Sequence, residues 1–198
     1  MHYKTTRPGF IVEGHLEQDF VQLVCEGSPV RRIGCNGTDV KIDAIAKRVA
    51  THVRLLQRKC NPIVVVFDRE GRNETCEALE TSLKESLKRE NITANVIVGI
   101  PDRDIESWIL ADFESFARSA GIDPKSSDGQ FEGKKCKCKV KDWASGKCNY
   151  TETIHGVAWL KNAHPQKIRQ ASPSFARFFE ALKGLSCRWL QQELPLIE

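Results

Sequence analysis

The chain has 198 residues, 40% of them hydrophobic and 28% charged, with a formal net charge of +4. That size suits one domain or a domain with a small appendage, and so mild a charge permits a nucleic-acid partner without arguing for one. No apolar run approaches the ~20 residues a membrane helix needs, and Met1 to Pro8 lack the apolar core of a signal peptide, so no membrane partner and a cytoplasmic location are expected.

Gly9-Phe10-Ile11-Val12 is a short apolar strand candidate that ends on Glu13-Gly14. A helix is predicted next, with Leu16, Phe20, Leu23 and Val24 as its buried stripe. Gly27-Ser28-Pro29 breaks it, and Val30 to Cys35 reads as a second strand closing on the turn signal Asn36-Gly37. Val40, Ile45, Val49, Val53 and Leu56 then recur at helical spacing until Asn61-Pro62 stops the helix.

Ile63-Val64-Val65-Val66-Phe67 follows, an uninterrupted apolar run suited to a central strand covered on both faces. It runs directly into Asp68-Arg69-Glu70-Gly71-Arg72, with Gly71 placed to let the backbone turn. Carboxylates at such a strand end sit where open α/β sheets bind ligands. Asp68 and Glu70 offer the hard oxygens that Mg²⁺ or Mn²⁺ prefer. Their ordinary alternative is to end the strand and cap the next helix.

Asn73 to Glu90 is predicted helical through Leu79, Leu83 and Leu87, and Ala94 to Ile100 is a fourth strand ended by Pro101. Beyond it one helix is expected to carry Ile105, Trp108, Ile109 and Phe116, with Trp108 in the core. Asp112 falls on that apolar stripe, where a charge needs a partner: a site ligand, Arg103 or a segment to cap. Strands alternating with helices imply βαβ units and a four-stranded, mostly parallel α/β sheet. Glu13, Asp68, Glu70 and Glu106 would then share its carboxyl edge, where mutual repulsion favours a divalent cation.

Residues 121–150 read as a basic loop insertion, carrying Lys134, Lys135, Lys137, Lys139 and Lys141, which is either a solvated face or a nucleic-acid contact. Cys136, Cys138 and Cys148 with His155 raise the alternative of zinc, but Cys-x-Cys lacks the usual Cys-x-x-Cys spacing and none is expected. Cys25, Cys35, Cys60, Cys76 and Cys187 are scattered singly and read as reduced, packed thiols. Residues 151–198 form a helical extension on the 1–120 core, starting a helix at Ser172-Pro173 whose Phe175, Phe178, Phe179 and Leu182 face inward.

The early Glu-Gly followed by an acidic pair after a later strand resembles the TOPRIM domain of topoisomerases, bacterial primases, small ribosomal-RNA maturases and OLD-type nucleases. Four stretches resemble the DUF4276 family, which is regarded as TOPRIM-like. They are Val12 to Glu17, Val66 to Gly71, Ile100-Pro101 with Ile105 to Asp112, and Ser172 to Phe178. The Glu106-x-Trp108-x-Leu110-x-Asp112 run is the most specific of them. Glu70 departs from the TOPRIM pattern, which has Asp there, and moves the carboxylate outward by one methylene.

The resemblance implies a divalent-metal-dependent nuclease, an effector of antiviral defence paired with an ABC/AAA-type ATPase encoded nearby. Glu13, Asp68, Glu70 and Glu106 would be its catalytic and Mg²⁺- or Mn²⁺-binding residues, with Glu13 a general acid or base. Gly37, Lys41, Arg72, Arg103, Lys134, Lys135 and Lys137 are the expected contacts to DNA or RNA. Two other readings stay open: a non-catalytic metal-binding subunit that regulates a partner ATPase, and a phosphatase whose Phe-Asp-x-Glu-Gly would be the nucleophile motif. Homo-oligomerisation is open too.

Overall fold

In the computed structural model, residues 7–35, 40–127, 129–145 and 149–193 are described; Gly37 and Cys148 lie outside them. Four strands, β1 (Gly9–Val12), β2 (Val30–Arg32), β3 (Ile63–Val66) and β4 (Val96–Gly99), form one sheet in the order β2-β1-β3-β4. Every pairing is parallel, with Val12 level with Arg32 on one side and with Val66 on the other. The chain steps outward from β1 to β2, then crosses back to β3 and β4. The strand order therefore reverses between β1 and β3, which is where such sheets open a ligand crevice at their carboxyl ends.

Alternation along β1 and β3 divides the core. Phe10, Val12, Val64 and Val66 face α1 (His15–Val24) and the C-terminal helices. Ile11, Ile63 and Val65 face α2 (Ile42–Leu56) and α3 (Cys76–Arg89). Burial on both sides is why these strands are continuously apolar. The edge strand β2 is not: Arg31 and Arg32 are exposed.

After β4 the single predicted helix divides into α4 (Glu106–Ala111) and α5 (Phe113–Ala120). Asp112 causes the break, because its Oδ1 accepts the Ser115 N–H at 3.3 Å and caps α5. Its Oδ2 takes the His164 N–H at 2.8 Å, which is how this buried charge finds partners. Trp108 is fully buried, and its indole N–H donates to Ser174 Oγ at 2.9 Å.

The expected basic loop is corrected by a helix, α6 (Cys136–Ala144), whose Cys136, Val140 and Ala144 are buried at successive turns. Residues two apart on a helix point roughly 200° apart, so Cys136 is enclosed and Cys138 is exposed. Helices α7 (Val157–Asn162), α8 (Pro165–Ala171) and α9 (Pro173–Ala181) complete the extension. Ser172 caps α9 by accepting the Phe175 N–H at 3.2 Å, and Phe175, Phe178, Phe179 and Leu182 enter the core as predicted.

One cysteine expectation is overturned. Cys25 and Cys187 are bonded as a disulfide across 162 residues, joining the end of α1 to the C-terminal segment. At the end of β4, a Cβ added to Gly99 would overlap the Phe178 ring. Gly99→Ala is accordingly expected to destabilise the fold by about 1–3 kcal/mol through overpacking. Urea denaturation measures it, and an unchanged midpoint would show that α9 sits less tightly on β4.

Candidate carboxylate site

Glu13 and Asp68 leave β1 and β3 side by side at the point where the strand order reverses. Glu13 N–H donates to Val66 O at 3.2 Å, and Glu13 Oε2 in turn accepts the Asp68 N–H at 3.2 Å. The carboxylate thus terminates β3 and fixes itself beside Asp68. One residue on, Gly14 opens α1, and Glu17 Oε2 folds back to accept the Gly14 N–H at 3.0 Å. A Cβ on Gly14 would stand 2.8 Å from that oxygen, so glycine leaves the room Glu17 needs.

The β3 and β4 loops are laced together. Arg69 N–H donates to Pro101 O at 3.2 Å, Glu70 N–H to Arg103 O at 2.7 Å, and Arg103 Nη1 returns to Glu70 O at 3.0 Å. Both Glu70 (φ 54°) and Arg103 (φ 82°) are left-handed, a conformation that costs free energy in residues with a Cβ and is often found at functional sites. The chain turns over Glu70 and Gly71 as expected, closed by the Arg72 N–H on Arg69 O at 3.4 Å, but the positive φ falls on Glu70. Behind these loops Asp104 accepts the Cys136 and Lys137 N–H groups at 3.0 and 3.2 Å, anchoring α6.

Glu106, buried in the first turn of α4, accepts from Tyr150 Oη at 3.0 Å. Lys137 of α6 pairs with Glu152 at 2.6 Å and attracts the charges of Glu106 and Asp68. It is turned toward carboxylates, with its side chain 43% exposed. Arg72 is turned inward: it is 8% exposed and donates to Asp68 O, Arg69 O and Val40 O at 2.9, 3.0 and 2.8 Å. Arg103 likewise spends donors on the carbonyls of Glu70 and Gly133. Lys41, Lys134 and Lys135 are exposed, and Gly37 lies outside the described residues.

Burial pushes Glu13 up to about 7, helped by the nearby charge of Glu70. Glu106 is raised to about 7 by burial and then by Asp104. Asp68 is driven well above the usual carboxylate range by burial and by Glu17, Glu106 and Glu13, in that order. Its Oδ1 is enclosed and receives no hydrogen bond. An enclosed acceptor without a donor, ringed by acids from α1, α4 and both central loops, is electrostatically incomplete.

A sequence profile described as "Domain of unknown function (DUF4276)" matches residues 12–183. The chain belongs to the DUF4276 family. No curated protein and no solved structure matches it. The DUF4276 span begins at the last residue of β1 and runs past α9, so it takes in the whole carboxylate site and the helices that support it. Within the matched span, Glu106 lies near Asp68 while Trp108, Leu110 and Asp112 are buried behind it.

Glu17, Asp104, Tyr150 and Glu152 were not singled out from the sequence. Glu17 stands three residues after Gly14, the N-cap of α1, the spacing at which an acid folds back onto a helix start. Among the described residues, no three His, Cys, Asp or Glu side chains already stand as a ready ligand set. The donors are nevertheless all carboxylate oxygens, the chemistry suited to Mg²⁺ or Mn²⁺, and Asp68 Oδ1 has no competing donor. The residues therefore fit such an ion with substrate or water oxygens completing most of its shell: Asp68 and Glu106 would hold it, and Glu13 beside Asp68 would be left to carry a proton.

Proposed function

We propose that this DUF4276 chain is a TOPRIM-like, divalent-metal-dependent nuclease that hydrolyses phosphodiester bonds of DNA or RNA. The observation that carries the reading is the enclosed, undonated Asp68 Oδ1 at the reversal of strand order, ringed by acids. A bound Mg²⁺ or Mn²⁺ supplies charge neutralisation and an activated water there. Glu13, titrating at about 7, holds or releases a proton at neutral pH and suits general acid–base work on the attacking water or leaving oxygen. The Asp68 N–H fixes that carboxylate in place. Glu106 is oriented by the Tyr150 hydroxyl, and its helix α4 packs against α6 and α7.

A partner ATPase would act on this site as its activator in antiviral defence. The direct test incubates the purified chain with plasmid, single-stranded DNA and total RNA in Mn²⁺ or in chelator. Metal-dependent cleavage of at least one substrate is expected. Failure with every substrate, with and without the neighbouring ATPase, would leave the non-catalytic subunit as the better account.

A further inference from the structure

Among the described strands, the edge strand β2 alone carries charged side chains, Arg31 and Arg32. Its two arginines point to opposite faces, as successive strand residues must, and each meets a histidine. Arg32 Nη1 contacts His15 Nε2 at the start of α1. Arg31 bears electrostatically on His52 in α2. Arg48, one helical turn before His52, donates to Ile33 O and Gly34 O at 2.9 and 2.5 Å, holding the end of the same strand. Arginine has no acceptor, so a hydrogen bond between the two runs from Arg32 to His15 Nε2 and leaves the other guanidinium donors to spare. Among the described residues no carboxylate forms an ion pair with Arg31, Arg32, Arg48 or His15, whereas Arg54 and Arg89 on the opposite flank are paired with Glu90 and Asp43.

The cluster also adjoins the carboxylates. Register sets Arg32 level with Val12, the residue before Glu13, across one strand spacing of about 4.8 Å. Cys35, just beyond β2, is influenced by Glu13 and Glu70 on one side and by Arg48 and Arg72 on the other.

We propose that Arg31, Arg32, Arg48 and His15 form a phosphate track along the β2 edge, which carries a nucleic-acid backbone toward the Glu13–Asp68 site. The direction of the track rests on the nuclease reading, whereas its binding of phosphates does not. Arginine presents planar, paired donors to phosphate oxygens, and β2 is too short, at three residues, to recruit a partner by strand addition.

The test uses fluorescence anisotropy of the full-length chain with labelled single-stranded and duplex oligonucleotides, in chelator so that no cleavage intervenes. The double variant Arg31→Ala/Arg32→Ala is expected to weaken binding about tenfold or more and to flatten the salt slope by about 0.7–0.9 per lost contact. The double variant Arg58→Ala/Lys59→Ala removes the same charge from exposed positions at the far end of α2 and is expected to change little. Arg32→Lys, which keeps the charge, is expected to retain most of the slope. Equal loss in both double variants would reduce the effect to net charge and overturn the track. No loss in Arg31→Ala/Arg32→Ala, or no binding by the wild type, would overturn it too, leaving these arginines as guards against edge-to-edge pairing. Selective loss of binding from a chain that never cleaves would support the track and count against the nuclease alone.

Discussion

Asp68→Asn protein is expected to lose phosphodiesterase activity by on the order of 10³-fold and still to melt higher than the wild type in chelator at pH 8. The substitution keeps the shape of the side chain and removes its charge. It also brings an amide donor to neighbours that are all acids: Glu17, Glu106 and Glu13 each raise Asp68. Relief of repulsion is expected to contribute on the order of 1–2 kcal/mol, which at this chain length is about 2–8 °C in Tm. Opposite signs in activity and stability distinguish a site residue from a structural one. Retained cleavage would remove Asp68 from the chemistry, and a lower Tm would show that the fold depends on its charge.

The pH dependence of stability follows from the same cluster. Folding raises Glu13 and Glu106 from 4.5 to about 7, so between those values the folded chain binds more protons than the unfolded chain. Stability must then fall as pH rises through that window and level off above it. Calorimetry in chelator is expected to show a loss on the order of 3 kcal/mol between pH 5 and pH 8, after allowing for screening at the partly exposed Glu13. Mn²⁺ should restore much of it at pH 8 through binding to the folded state and do little at pH 5, where the carboxyls are protonated. A flat profile between pH 5 and pH 8 would contradict the convergence of acids that the site is built on.

The strands and the two-faced core were legible because β1, β3 and β4 are apolar runs bounded by turn residues. The convergence of Glu13, Asp68 and Glu106 followed from parallel order alone. Other features were hidden by what surrounds them. Lysines at 135, 137, 139 and 141 masked the buried turns Cys136, Val140 and Ala144, so α6 read as a loop. The Cys25–Cys187 bond spans 162 residues, and nothing local to either cysteine announces the other. Asp104 anchors a helix 32 residues away, a role that only the folded chain reveals. Arg72 looked like a phosphate contact because its charge is visible in sequence while the carbonyls it satisfies are not. Arg31 and Arg32 were passed over for the opposite reason: two charges inside a short strand reveal their neighbours only once β2 is seen to be an edge.

Mn²⁺ binding measured by electron paramagnetic resonance tests the central claim most directly, since it needs no substrate and no partner. Titrating the wild-type chain at pH 8 is expected to show Mn²⁺ bound with weak affinity, because the protein offers carboxylates without a closed ligand set. Asp68→Asn and Glu106→Gln should each lose that binding, and lowering the wild type to pH 5 should do the same. Mn²⁺ bound equally by the wild type and Asp68→Asn, or bound by neither, would contradict a metal centre at the reversal point of this sheet.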